Sequence, residues 1–444
     1  MRRWWVPVLG AAAVLATFVP VADARIRPFP VAATAYGHLQ EIVERSPAPE
    51  YRRYGSLGIR HVETYARDVL TAAGFSTAEL HTAADRWWVD YSAGHQPLVQ
   101  RTDTGQAFAT DSAFGMGQVT TAAGITCTVA MYDAVQPGQC GFVPFAVNSP
   151  EWKNPSEDTK GALDAIVAAG GVGAILQGDT SRSALIAHRT SAAIPVVTSV
   201  VQEADVVGHP IRLRVMGGRQ PARSYDVVGV RRPAVAGRGY VLLLAHIDGW
   251  FTAAADNGGG AAAVLRAAQL LAVAPPDGAG VAVALVDGEE VGYIGSTGLV
   301  ALLQSPGGVA FPGGGPALHM ADIESVVNLD APSAIASDTP APEPFSWRVL
   351  VHTNDATALR GVATFTAAGV LGLPVEASVA TQLNGGITRT DAGLFADAGK
   401  PVIWPVAGYP EYHTTADTLA VVDPVDLENV ATGAASTVRL LGQR

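Results

Sequence analysis

The sequence predicts an α/β protein: a mixed, mostly parallel sheet flanked by helices, interrupted by an inserted β-rich segment. Three observations carry this. Runs rich in Val, Leu and Ala, at 240–245 and 281–286, are too short for helices and too apolar for half-exposed strands, so they read as buried strands. Stretches of helical period alternate with such runs, among them 260–272 and 296–303. Between them and the N-terminal quarter lie about a hundred residues, 113–221, with short strands and glycine turns but no cluster of His and carboxylates.

Taken in order, residues 1–24 read as a secretory signal peptide. Arg2 and Arg3 form a basic start, 4–21 are almost wholly apolar, and Ala22-Asp23-Ala24 suits cleavage before Arg25. The expected destination is outside the cell or within its envelope, with an uncleaved membrane anchor as the alternative reading. No other stretch is long and apolar enough to span a bilayer. Helices are expected over 33–43 and 61–73, the second placing Val62, Tyr65, Val69 and Leu70 on one face and stopping at Gly74. A strand follows at 86–91. The inserted segment holds a strand pair over 117–131 around Gly124, a helix over 160–169, and strands at 170–176 and 194–197. The α/β rhythm resumes with strands at 226–230 and 240–245, read as a hairpin around residues 237–239. Further strands are expected at 281–286, 325–329, 348–351 and 401–404, and helices at 260–272, 296–303, 356–367, 393–398 and 424–441.

Charged residues make up 16% of the chain and hydrophobic ones 48%, which excludes a disordered protein. The formal charge of −11 argues against nucleic acid as a partner. Cys127 and Cys140 are the two cysteines. In an exported chain this close pair suggests one disulfide, stabilising by roughly 3 kcal/mol through loop closure; two free thiols are the alternative.

The chemistry collects where strands end. His246 and Asp248 follow one apolar run, Glu289 and Glu290 another, and Asp330 a third. His413 lies in a loop beyond the last strand, and Asp256 opens the helix after His246. Parallel strands bring their carboxyl ends to one rim, so these groups could converge. Imidazoles and carboxylates together suit zinc, with a bridging carboxylate if there are two ions. Each residue also has a plain reading. His246 could be a core histidine, Asp248 a turn residue, Asp256 a helix cap, and Glu289 and Glu290 a solvated pair. Asp330 could cap a loop, and His413 could sit exposed. Asp248 shares a face with His246 in extended chain and can orient its ring.

HIDGWFTAAADNGGG, VDGEEVGYIGS, VNLD, TRTDAGLFADAGKPV and EYHTTADT occur in this order. Together they resemble the co-catalytic zinc exopeptidase family, which includes secreted bacterial aminopeptidases and glutamate carboxypeptidases. The similarity covers about 223–420, more weakly 54–75. Through KGALDAIVAAGGVGAILQGD and IPVVTS, the insert at 113–221 resembles a protease-associated domain. The catalytic domain would then be 25–112 with 222–444. The resemblance implies two Zn2+ per chain, bridged by Asp256. His246 and Asp330 would complete one site, and Glu290 and His413 the other. Glu289 would be the general base, with Asp248 orienting His246. The Asp256–Asn257 peptide would be cis. Arg389 and Tyr409 would position the substrate carbonyl, although Arg389 could pair with Asp391 and Tyr409 could be core. The implied activity is removal of N-terminal residues from peptides. The alternatives are a carboxypeptidase or a non-catalytic binding relative. Oligomeric state is not legible.

Overall fold

A computed structural model describes residues 32–443 apart from 83, 113–117, 149–154, 188–191, 223, 334–348, 354–374, 380–389 and 408. The leader at 1–24, the helix expected over 356–367 and Arg389 lie outside the described residues. No helix among the described residues is long and apolar enough to cross a membrane.

The main sheet has eight strands: β1 (Ser76–Thr82), β2 (Ser224–Arg231), β3 (Tyr240–His246), β4 (Gly280–Val286), β5 (Ile323–Asn328), β6 (Val349–Thr353), β7 (Val375–Val379) and β8 (Val402–Ala407). They lie in the order β1-β2-β4-β3-β5-β8-β6-β7. The four central strands β4, β3, β5 and β8 are mutually parallel. β2 joins β4, and β6 joins β8, in antiparallel fashion. The centre is fixed by burial: every residue of β4, and every residue of β3 after Tyr240, is buried. Strands of this kind need partners on both edges and cover on both faces.

The same demand overturns the expected hairpin around 237–239. β2 and β3 do not pair, because β4 lies between them, antiparallel to one and parallel to the other. Both edges of β3 are taken by parallel partners, and filling them outweighs the short connection. β1 was not legible, since its STAELHT sequence is mostly polar; it pairs antiparallel with β2 at the sheet's edge. The strand expected at 86–91 forms over Asp85–Val89, but it pairs with Gly217–Pro221 as a separate ribbon.

Helix α1 (Ala35–Arg45) starts at a Thr34 cap, whose Oγ1 accepts from Gly37 N at 3.0 Å. α2 (Leu57–Ala72) starts four residues earlier than expected because Ser56 caps it, Oγ accepting from Ile59 N at 3.0 Å. Its buried stripe includes Val62, Tyr65, Val69 and Leu70, and Gly74 follows it at φ +82°. α3 (Gly260–Val273) is buried on nearly all sides rather than amphipathic. Its alanines let it pass between the sheet, α1 and α6 (Pro424–Leu441). α4 (Ile294–Gln304) and α5 (Ala392–Asp397) pack together beside β2 and β8.

A second eight-stranded sheet is built from Leu98–Arg101, Ala107–Phe108, Thr110–Ser112, Ile125–Met131, Cys140–Val143, Gly173–Gln177, Val196–Ser199 and Pro210–Arg214. It has its own core, with Val99, Phe142, Ile175, Val197 and Leu213. The sheet begins at Leu98, upstream of the boundary expected at 113. Residues 118–124 hold no strand, so the expected pair around Gly124 is the single strand Ile125–Met131. Cys127 and Cys140 are joined, Sγ to Sγ at 1.93 Å, across two neighbouring parallel strands.

Candidate metal centre

β3 ends at His246 and delivers its ring to the sheet's carboxyl rim, fully buried. Two residues on, Asp248 Oδ1 lies 3.3 Å from His246 Nδ1. The same carboxylate accepts the Glu289 N–H at 3.2 Å and the Glu290 N–H at 3.1 Å. Asp248 thus ties the end of β3 to the turn after β4, setting the ring and both glutamates with one group.

The loop from β3 to α3 is held by two groups that no motif announces. Arg52 is fully buried and donates to the carbonyls of Thr252 and Ala253. Asp417 accepts from Ala255 N at 2.8 Å and Asp256 N at 3.1 Å, and from the Tyr409 hydroxyl at 2.8 Å. The Asp256–Asn257 peptide is cis. Asn257, not Asp256, turns its side chain onto the backbone here. Its Oδ1 accepts from Gly260 N at 3.0 Å and Ala331 N at 3.1 Å. A Cβ at Gly260 would lie 2.0 Å from Asn257 Oδ1 and 2.2 Å from Leu329 O, so glycine is required there.

The side chain of Asp256 is therefore free to face the rim. Its Oδ1 lies 3.3 Å from His246 Nε2, and its Oδ2 lies 3.2 Å from His413 Nε2. Asp330, past the end of β5, brings Oδ1 to 3.3 Å from His246 Nε2. Glu290 brings Oε2 to 3.2 Å from His413 Nε2. Two triplets result, His246–Asp256–Asp330 and Asp256–Glu290–His413, each with ligand atoms close enough to hold one ion. Burial works against charge on both imidazoles. The carboxylates outweigh it: Asp330 foremost raises His246, and Glu290 foremost raises His413 to about 10. Burial also works against Asp256, yet the two imidazoles hold its carboxyl below the usual carboxylate range. Two N-donors and three carboxylates, one of them shared by both triplets, fit a pair of divalent cations, zinc in particular.

Glu289 is buried in the turn after β4, beside Glu290. Tyr409 is also buried, and its hydroxyl is committed to Asp417. Through Asp417 it supports the loop carrying Asp256. Asp391 receives a hydrogen bond from Ser296 Oγ at 2.5 Å. Sequence reasoning missed Arg52 and Asp417. The only trace of Asp417 was its place four residues after His413.

Beneath the rim, Asp287 is fully buried, and neither oxygen has a well-aligned hydrogen-bond partner among the described residues. Burial, then the charges of Asp248, Glu63 and Asp226, push its pKa well above the ordinary carboxylate value. A raised folded-state pKa leaves stability intact below the unfolded value of about 4 and erodes it as pH rises from there toward the folded pKa. Asp287→Asn should therefore melt with the wild type near pH 4 and above it at pH 8. Thermal unfolding across that range checks this; a wild type at least as stable as the variant at pH 8 would refute it.

Residues 226–438 match the model of peptidase family M28. The chain carries an M28 peptidase domain. This is the co-catalytic zinc exopeptidase family to which the ordered motifs point, a family of metallopeptidases. The M28 domain spans β2 to most of α6 and includes every residue of the two triplets. No curated protein matches the sequence. Among solved structures, a peptidase M28 precursor from Shewanella amazonensis is 17% identical with a TM-score of 0.69, over 93% of this chain and 94% of that one. A zinc aminopeptidase from Bacillus subtilis is 16% identical with a TM-score of 0.65, over 92% and 95%. An aminopeptidase from Aneurinibacillus sp. strain AM-1 is 16% identical with a TM-score of 0.57, over 91% and 93%. These likenesses are of fold, and they extend beyond the M28 domain into the second sheet.

Proposed function

We propose that this is a secreted, dinuclear zinc aminopeptidase acting on peptides with a free N-terminus. The carrying observation is Asp256, whose two oxygens each face a different imidazole within hydrogen-bonding reach. His246 and Asp330 would hold one zinc ion, Glu290 and His413 the other, and Asp256 both. Bound there, zinc supplies a Lewis acid for the scissile carbonyl and brings the pKa of water down toward ~7. The chain does the rest. Glu289 accepts the proton of the attacking water and passes it to the leaving amine. Asp248 keeps the His246 ring in orientation and holds the backbone of Glu289. The buried Arg52 fixes the loop between His246 and Asp256 and offsets part of the local negative charge.

The aminopeptidase reading draws on the motif texture and on the names of the similar structures from Bacillus subtilis and Aneurinibacillus. Secretion is supported by the apolar leader and by the disulfide, which an oxidising compartment favours. We assign the second sheet to an inserted accessory domain of the protease-associated kind. The deciding experiment is a chelator-reversible assay with aminoacyl anilides and N-blocked peptides, counting zinc per chain. The expected result is two zinc ions, cleavage of N-free substrates and none of N-blocked ones. Cleavage confined to the C-terminal residue of N-blocked peptides would move the enzyme to the carboxypeptidases. A chain that is inactive and metal-free even after zinc addition would point to a binding protein.

A further inference from the structure

The second sheet sends one segment back to the metal centre. The segment leaves the strand Gly173–Gln177 and turns tightly at Asp179, whose Oδ1 accepts from Ser181 N at 2.9 Å and whose carbonyl accepts from Ala184 N at 2.9 Å. It remains attached to its own sheet where Ile186 N donates to Thr198 Oγ1 at 3.2 Å. It then pairs with the loop that carries His413. Ile186 and Thr414 form an antiparallel bridge. Ala187 N donates to His413 O at 2.9 Å, and Thr415 N donates to Leu185 O at 3.0 Å. Leu185 N donates to Thr415 Oγ1 at 3.0 Å. Arg182, held by Asp179 at 2.6 Å, sits 3.6 Å from Glu411.

His413 needs this support. Its φ is +57°, in the left-handed region that side chains other than glycine's adopt only when the surroundings impose it. Within the M28 domain, the Thr414 N–H and hydroxyl both turn back on the Glu411 carbonyl, but the carbonyl of His413 itself is received by the second sheet's segment. The same segment closes a small apolar cluster. Ala187, with Leu185 beside it, packs against Trp250, Phe251 and Val89, so the loop following Asp248 meets it too.

We propose that the second sheet is a working part of the metal centre: its segment Arg182–Ala187 holds His413 in the conformation that completes the Glu290–His413 site. Arg182, Leu185 and Ala187 are positioning residues, acting through the backbone of His413 and its neighbours. The inference rests on the dinuclear reading above. It implies that the two sites depend unequally on the second sheet. The site of His246 and Asp330 is built from the ends of β3 and β5, both inside the main sheet. The site of His413 requires the contact between the sheets.

The test is a Co2+ titration of the metal-free full-length chain, read by visible absorption, on wild type and three variants. Ala187→Pro removes the N–H that reaches His413 O. Thr415→Val removes the hydroxyl that receives Leu185 N, and Arg182→Gln removes the charge facing Glu411. For Ala187→Pro the first equivalent should bind as in wild type and the second about 10- to 100-fold more weakly, the scale for groups that orient a ligand. In Thr415→Val the second equivalent should weaken about fivefold, the scale of one hydrogen bond, and Arg182→Gln should change in the same direction. A merely structural role would lower the melting temperature and leave both equivalents alike. If Ala187→Pro does not fold, the other two variants decide. Wild type taking up two equivalents, with folded variants indistinguishable from it, overturns the positioning role alone. Wild type taking up no second equivalent overturns the dinuclear reading and this inference with it.

Discussion

Glu289→Gln should retain the wild-type zinc content and lose turnover by about a hundred- to ten-thousandfold, the usual contribution of a positioned general base. The substitution keeps size and shape but removes the ability to accept a proton. The surroundings should not move, because Asp248 holds residue 289 through its backbone N–H, which the variant keeps. Neither triplet includes Glu289, so metal uptake is not expected to change. Steady-state kcat on an aminoacyl anilide, together with metal analysis of the same sample, separates the two effects. A kcat within threefold of wild type would remove Glu289 from the proton-transfer role. A loss of zinc would make it a ligand.

Asp256→Ala should empty both sites at once. Asp256 is the one residue common to the two triplets, and each of its oxygens serves a different imidazole. Bound metal should fall from two ions to fewer than one, and kcat by about a thousandfold or more, the scale of losing a principal charge-stabilising contact. Asp330→Ala is the control, because it belongs to one triplet only and should keep about one ion through Glu290, Asp256 and His413. The backbone at 256 stays anchored in the variant, since Asp417 receives the amides of Ala255 and Asp256 whatever the side chain. Folding is therefore separable from metal loss by circular dichroism. If Asp256→Ala holds as much zinc as Asp330→Ala, the bridging assignment fails.

Three of the five residues gathered at the rim were legible because they sit where an apolar strand stops, and apolar strands are what patterning shows most clearly. His246, Glu290 and Asp330 are of this kind, and the chain does bring them together with Asp256 and His413. Strand pairing was less legible. The expected hairpin between β2 and β3 failed because β4, from farther along the chain, takes the place between them. Local sequence carries no sign of such an insertion. β1 escaped notice because an edge strand can remain largely polar. Arg52 and Asp417 escaped for a different reason: they act on backbone groups. Arg52 reaches carbonyls 200 residues away, and any residue could have supplied those carbonyls. Side chains that serve the backbone of distant loops leave no pattern of residue types to read. Tyr409 shows the converse: a neighbouring motif drew attention to it, and its hydroxyl is found on Asp417, a partner no motif announced.

The rim is assembled from pieces far apart in the chain: Arg52 before α2, the turns after β3, β4 and β5, the 182–187 segment, and the loop of His413. Closing so many long loops costs entropy before any contact rewards it, which slows folding and places such junctions among the last to form. A nascent chain therefore has no way to present a complete pair of ion-binding triplets until its final third has folded onto the rest. Proteolytic capability would arrive only with the finished molecule. The wide scatter of the rim residues thus ties ion binding to the finished fold and to no smaller part of it.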